Sequence, residues 1–280
     1  MRDAVIVSTA RTPIGKAYRG AFNMTPTPTL AGHAIAHAVT RAGIDPARIE
    51  DVVMGAALQQ GTSFMNVARN GAIRAGLPVS VSGQSIDRQC ASGMMGIAIA
   101  AKQIICDGMD VTIGGGVESI SMNQVPAAFQ KTDPWIKANK PALYMTMLET
   151  AENVAERFGV SREAQDAYAL QSQQRTAAAQ EAGRFDAEIV AMTTVMGVMD
   201  KATKDTTQQE VTLAKDEGNR PATTLDNLTA LQPVFANGQV VQQGRFITAG
   251  NASQLSDGAS ASVLMEAGVA EREGLTPLGR

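Results

Sequence analysis

The residues best suited to chemistry lie in the stretch SIDRQCASGMMG, residues 85–96, where one of the chain's two cysteines sits between an Arg-Gln pair and a run of small residues. A helix starting near Cys90 puts the sulfur in the field of unpaired N–H groups at the positive end of the macrodipole, which favours a thiolate. Arg88 adds to that field and Asp87 works against it. Gly93 and Gly96 let another backbone or a long thin ligand come close. The competing reading is that Cys90 is a buried small apolar residue, the usual state of a free cysteine. Cys106, late in the apolar run AAKQIIC, reads as core.

Other constellations carry weaker chemistry. His33 and His37, the only histidines, stand four apart on one expected helix, the spacing of paired metal ligands. No third ligand supports them, so they read as an ordinary helix pair and the metal assignment is none. GGGVES (114–119) fails the phosphate-loop and dinucleotide patterns and reads as a tight turn after a strand. Met94, Met95, Met145 and Met147 either fill gaps or line an acyl channel, and spacing does not choose between these. TAGNASQLSDGAS (248–260) reads first as a polar connection, with the alternative of a loop that brings backbone amides to a ligand.

The elements that must position these residues follow from periodicity. DAVIVS (3–8), DVVMGAAL (51–58) and DVTIGGGVES (110–119) are expected strands. Segments 29–43, 64–76 and 91–108 carry apolar residues at helical spacing and end in glycine. Their alternation predicts an α/β sheet. The middle of the chain differs. Residues 161–183 read as a long Ala/Gln helix with Ser161 at its N-cap, and 200–219 as an exposed, mobile polar tract. Strand-like ASASVLMEA (259–267) resumes the α/β pattern. The expected division is an α/β core over 1–119, an inserted loop domain over 120–247, and a return to the core over 248–280.

Composition narrows the class. With 24 Lys+Arg against 27 Asp+Glu the net charge is −3, which offers no electrostatic footprint for nucleic acid. No stretch approaches the roughly 20 apolar residues of a spanning helix, so no membrane role is expected. Two cysteines in 280 residues make no disulfide framework, and a reducing, cytoplasmic setting is expected. Abundant Gly and Ala predict close helix–sheet packing.

Taken together the segments resemble the thiolase family, the acetyl-CoA acetyltransferases. RTPIGKAYRGAF (11–22) is similar to the family's opening loop and DRQCASGMMG to its nucleophile motif. GGGVESIS, TAENVAERFGVSREAQDAYALQSQQRTAAA, DEGNRPATTLDNLTALQPVF and TAGNASQLSDGASA follow in the family's order. The resemblance implies a layered βαβαβ half with an inserted loop subdomain. It implies reversible acyl transfer between coenzyme A thioesters through an acyl-cysteine at Cys90, with the Cys90 N–H as one oxyanion donor. It places Ser253 against the pantetheine arm, Met147 beside the thioester and Arg220 near the nucleotide end. Acyl-CoA substrates, no permanently bound cofactor and a homo-oligomer are its further implications.

The chain departs from the family in three ways. Asp87 stands where an asparagine is usual, and YMTML precedes TAEN where many members have His-Met-Gly. The family's second half carries a Gly-His-Pro motif and a Cys-x-Gly-Gly-Gly motif, and neither occurs here. The chain is therefore expected to hold the N-terminal and loop parts, with an incomplete active site and weak or absent turnover alone. A ketoacyl-synthase-like condensing enzyme and a non-catalytic thiolase-like binding or assembly domain are the alternatives.

Overall fold

The computed structural model describes residues 2–126 and 131–280. In chain order the first half contains β1 (Ala4–Arg11), β2 (Gly15–Lys16), α1 (Thr27–Ala42), β3 (Asp51–Gly55), α2 (Val67–Arg74), β4 (Ser82–Ile86), α3 (Ser92–Cys106), β5 (Val111–Ser119) and α4 (Ile120–Asn123). There follow α5 (Pro134–Asn139), α6 (Met147–Phe158), α7 (Arg162–Glu181), β6 (Met192–Met199), β7 (Thr206–Leu213), α8 (Leu225–Thr229), β8 (Ser256–Glu266) and α9 (Ala267–Arg272). These form two interleaved units. The first comprises residues 1–124, 185–218 and 255–280, and the second 125–184 and 219–254.

The first unit is built on a mixed sheet of order β1-β8-β5-β3-β4, with β2 added to β8. Strand β3 runs parallel to both β4 and β5, while β8 runs antiparallel to β5 and β1. The apolar run of β3 is buried along its whole length, as a central strand covered on both faces must be. The chain leaves β3 through α2 to reach β4, then crosses back through α3 to β5. Crossovers of one hand in opposite directions must fall on opposite faces. They do: Val52, Met54, Val263 and Met265 pack with α1 and α2, whereas Val53 and Leu264 pack with Ala100 and Ile104 of α3.

Close approach of α3 to the sheet depends on glycine. A Cβ on Gly114 would lie 2.5 Å from Ile97 Cα, and one on Gly96 would lie 2.7 Å from Gly115 O. The glycines of GGGVES are therefore inside β5, where they admit the helix, and not in a turn as expected from sequence. The polar tract after residue 200 contains β7, paired with β6 from Met192↔Leu213 to Met199↔Thr206. It is a hairpin arm of the first unit, largely exposed as the sequence led one to expect.

In the second unit two carboxylates of α6 hold a later loop. Glu152 Oε2 accepts from the Arg245 N–H at 2.9 Å and Oε1 from the Ile247 N–H at 2.8 Å. Glu149 Oε1 accepts from the N–H groups of Val240 and Val241 at 2.6 and 3.1 Å. Both side chains are buried, and the backbone N–H groups supply the partners that a buried charge needs. Helix α7 begins as expected, with Ser161 Oγ accepting from the Ala164 N–H. No helix among the described residues is long and apolar enough to cross a membrane.

Candidate active site

In the first unit the carboxyl ends of β3, β4 and β5 meet where the crossover helices part to opposite faces. This is the place where open α/β sheets present ligand-binding loops. Cys90 lies there, in the turn joining β4 to α3, and it is exposed. That excludes the buried-core reading of Cys90. The sulfur sits two residues before the first helical residue, Ser92, and Ala91 at the N-cap offers no side chain to the first turn. The Cys90 N–H donates to no described residue, so an unpaired donor and an exposed thiol belong to the same amino acid.

Neighbouring groups hold the turn. Gln89 has φ +49°, in the left-handed region that non-glycine residues seldom occupy. Its N–H donates to Asp87 Oδ1 at 2.7 Å, and its carbonyl accepts from Ser92 Oγ at 2.6 Å and Ser92 N–H at 3.0 Å. The same Ser92 hydroxyl accepts from the Arg88 N–H at 2.8 Å. Ser92 and Gly55 touch backbone to backbone, and Gly93 packs on Gly116.

Strand alternation continues from Gly114 and Gly116, on the α3 face of β5, to Glu118. Glu118 Oε2 accepts from the N–H groups of Ala57 and Leu58 at 2.9 and 3.3 Å, while its buried Oε1 has no hydrogen-bond partner among the described residues. Burial pushes the Glu118 carboxyl above its ordinary value. The backbone N–H groups of Ala57, Leu58 and Ser119 oppose the rise, and the Asp87 charge adds to it. Sequence reasoning passed over Glu118 and Ser92. The period-2 step from the paired glycines is the signal that points to the first.

The other sequence candidates separate. Cys106 is exposed, which corrects its assignment to the core. It ends α3, whose sheet-facing side carries Ala100 and Ile104 against Val53 and Leu264 instead. His33 and His37 lie on α1, on the opposite face of the sheet from α3, with ring centroids 4.5 Å apart. Burial and the neighbouring His37 push His33 below its ordinary value, against a hydrogen bond to the Val190 carbonyl. Arg74 shares their recess, and no group of three or more metal-ligating side chains occurs among the described residues.

In the second unit Arg220 and Ser253 line one cavity of about 440 Å³, together with Gln173, Asn227, Leu231 and Ala249. Its walls are fixed by Arg162. That guanidinium pairs with Asp166 at 2.8 Å and donates to the carbonyls of Leu228 and Leu231, anchoring the end of α8. Asp166 in turn accepts from Asn251 Nδ2 at 3.0 Å, and Asn251 Oδ1 accepts from the Thr248 N–H at 2.8 Å. One charged pair thereby holds both the α8 side and the TAGNAS side, so that loop is a cavity wall and more than a connection. Gln173 Oε1 accepts from the Arg220 N–H at 2.8 Å. The Arg220 side chain makes no hydrogen bond or ion pair with a described residue. Met147, the first residue of α6, is 76% exposed and does not line this cavity.

Comparison with known proteins bears on what this arrangement does. A family model described as "Thiolase, N-terminal domain" matches residues 4–268. The chain is 40% identical over 280 residues to a 3-ketoacyl-CoA thiolase of Bacillus subtilis, covering 99% of this chain and 69% of that protein. It is 38% identical over 280 residues to the peroxisomal 3-ketoacyl-CoA thiolase 2 of Arabidopsis thaliana, covering 99% and 58%. Against an acetyl-CoA acetyltransferase of Cupriavidus necator it is 37% identical over 292 residues, covering 99% and 70%. The crystal structure of the Bacillus anthracis acetyl-CoA acetyltransferase superposes with a TM-score of 0.81 at 34% identity, covering 99% of this chain and 69% of that one. The chain thus spans 58–70% of the length of these relatives.

Proposed function

The chain belongs to the thiolase family, and on that premise we propose that Cys90 is its nucleophile, taking an acyl group from a coenzyme A thioester. The thiolate attacks the thioester carbonyl carbon, the C–S bond to coenzyme A breaks, and the departing thiolate takes up a proton. The acyl group is then held as a thioester on Cys90, which splits one difficult transfer into two easier steps. The Cys90 N–H serves as a donor to the transient oxyanion. The observation that carries this reading is the exposed thiol whose own N–H is unpaired, at the carboxyl ends of three parallel strands.

The substrates in this reading are acyl-CoA thioesters, with Arg220 and Ser253 contacting the coenzyme and Met147 the thioester end. An unpaired arginine beside a cavity suits the phosphorylated end of coenzyme A. The reaction class is thiolysis of 3-ketoacyl-CoA or its reverse condensation. These 280 residues bring no histidine to Cys90, since α1 lies across the sheet, and Cys106 is at the far end of α3. Acylation without efficient turnover is the consequence for this polypeptide alone. A homo-oligomer is part of the proposal. The uncovered edge strand β4 and exposed Phe64, Met65 and Val79 support it. Two free thiols suit a reducing compartment such as the cytoplasm.

Labelling tests the reading. Iodoacetamide should modify Cys90, and preincubation with acetyl-CoA should protect it while leaving Cys106 open to the reagent. An unprotected Cys90 would favour a non-catalytic assembly role.

A further inference from the structure

We infer that Ser92 is a positioning residue that aims the Cys90 N–H by gripping the other end of the same peptide group. This inference rests on the acyl-transfer reading above. The Gln89 carbonyl and the Cys90 N–H belong to one planar trans peptide unit, so fixing the direction of the oxygen fixes that of the N–H. Ser92 holds that oxygen twice, through Oγ at 2.6 Å and through its own N–H at 3.0 Å. The hydroxyl also ties down the Asp87–Arg88 peptide, two units earlier, accepting from the Arg88 N–H at 2.8 Å.

The turn needs this restraint. Gln89 is held at φ +49°, which an L-residue leaves readily unless its surroundings prevent it. Cys90 contributes nothing itself, since among the described residues neither its N–H nor its thiol has a partner. Ser92 is buried, so water does not replace a lost hydroxyl. It is also pressed against Gly55, which keeps its backbone from shifting. Removing Oγ leaves the Arg88 N–H unpaired and the Gln89 carbonyl with one donor. The left-handed turn then relaxes, and the Cys90 N–H swings off the point where an oxyanion forms.

Two reactions of one thiol separate aiming from general damage. Acylation by a thioester or ester passes through an oxyanion, whereas alkylation by iodoacetamide does not. Ser92→Ala should slow acylation of Cys90 by acetyl-CoA and by p-nitrophenyl acetate about 10–100-fold, since losing one oxyanion donor outright costs about 10²–10³. Alkylation should change less than about threefold, taking a rate effect within half a decade as the mark of an intact thiol. Ser92→Thr, which keeps the hydroxyl, should restore acylation. If Ser92→Ala fails to fold, Ser92→Gly makes the same comparison without adding a thiol. Equal loss in both reactions, or no loss in acylation, overturns the inference. A wild-type Cys90 acylated by p-nitrophenyl acetate but not by acetyl-CoA overturns the coenzyme A reading alone and leaves the role of Ser92 measurable.

Discussion

Gly55 at the end of β3 and Ser92 at the start of α3 touch so closely that a Cβ on Gly55 would lie 2.1 Å from the Ser92 carbonyl carbon. The contact is backbone to backbone, so no flexible side chain can yield. Gly55→Ala is expected to destabilise the first unit by about 1–3 kcal/mol or more, the usual cost of overpacking. Denaturant unfolding checks the size, and acylation of Cys90 should fall with it because the turn is displaced. An alanine variant with wild-type stability and reactivity would show that α3 is free to move away.

Glu118 gives a pH-dependent prediction. Burial, with a smaller push from Asp87, holds its folded-state value above the ordinary 4.5. The folded state therefore binds the proton more tightly than the unfolded chain. Stability from this group is present below pH 4.5 and is lost as pH rises through the raised folded value. Glu118→Gln should raise the melting temperature at pH 7–8, and the gain should disappear near pH 4. Melting curves across that range decide, and a variant less stable at pH 8 would contradict the assignment.

Glu149 behaves in the opposite sense. Burial pushes its carboxyl up, but the backbone N–H groups of Val240, Gln239 and Val241 outweigh that and hold it below the ordinary 4.5. Its contribution is present above pH 4.5 and is lost as pH falls through the depressed folded value. The protection factors of the Val240 and Val241 amides, taken against the intrinsic exchange rate at each pH, should therefore fall on acidification in the wild type. In Glu149→Gln they should already be lower at neutral pH and change less with acid.

The cavity at Arg220 and Ser253 yields a binding prediction. Ser253→Trp fills the space and should abolish coenzyme A binding, measured by calorimetry. Arg220→Ala should weaken it roughly 3–10-fold, more at low salt, because an exposed charge is screened. Unaltered affinity in both variants would remove the coenzyme from this cavity.

How much of this was legible in sequence depends on what each residue signals. Helices α1, α2 and α3 and strand β5 followed from apolar spacing, and Ser161 marked the start of α7. Strand β4, SGQSI, has no apolar alternation because it is an edge strand, and β7 is polar and exposed over residues 206–210, with only Val211 and Leu213 reaching the core. The glycines at 114–116 read as a turn because the backbones they make room for, those of α3 and β8, are not signalled within their own stretch of sequence. Cys106 read as core because an apolar run does not reveal which side of its helix faces the sheet. Cys90 was singled out by its neighbours in sequence, whereas the Ser92 hydrogen bonds depend on a turn conformation that composition does not encode. Asp166 and Asn251 lie 85 residues apart, and only folding brings their hydrogen bond together with the Arg162 pair.

The most direct measurement is the site and stoichiometry of acetylation after mixing the protein with acetyl-CoA, read by intact mass and peptide mapping. Both cysteines are exposed, so access alone does not distinguish them. One acetyl group on Cys90, none on Cys106, and release of one coenzyme A per chain are expected. Acetylation spread over both thiols, or absent from Cys90, would contradict the account.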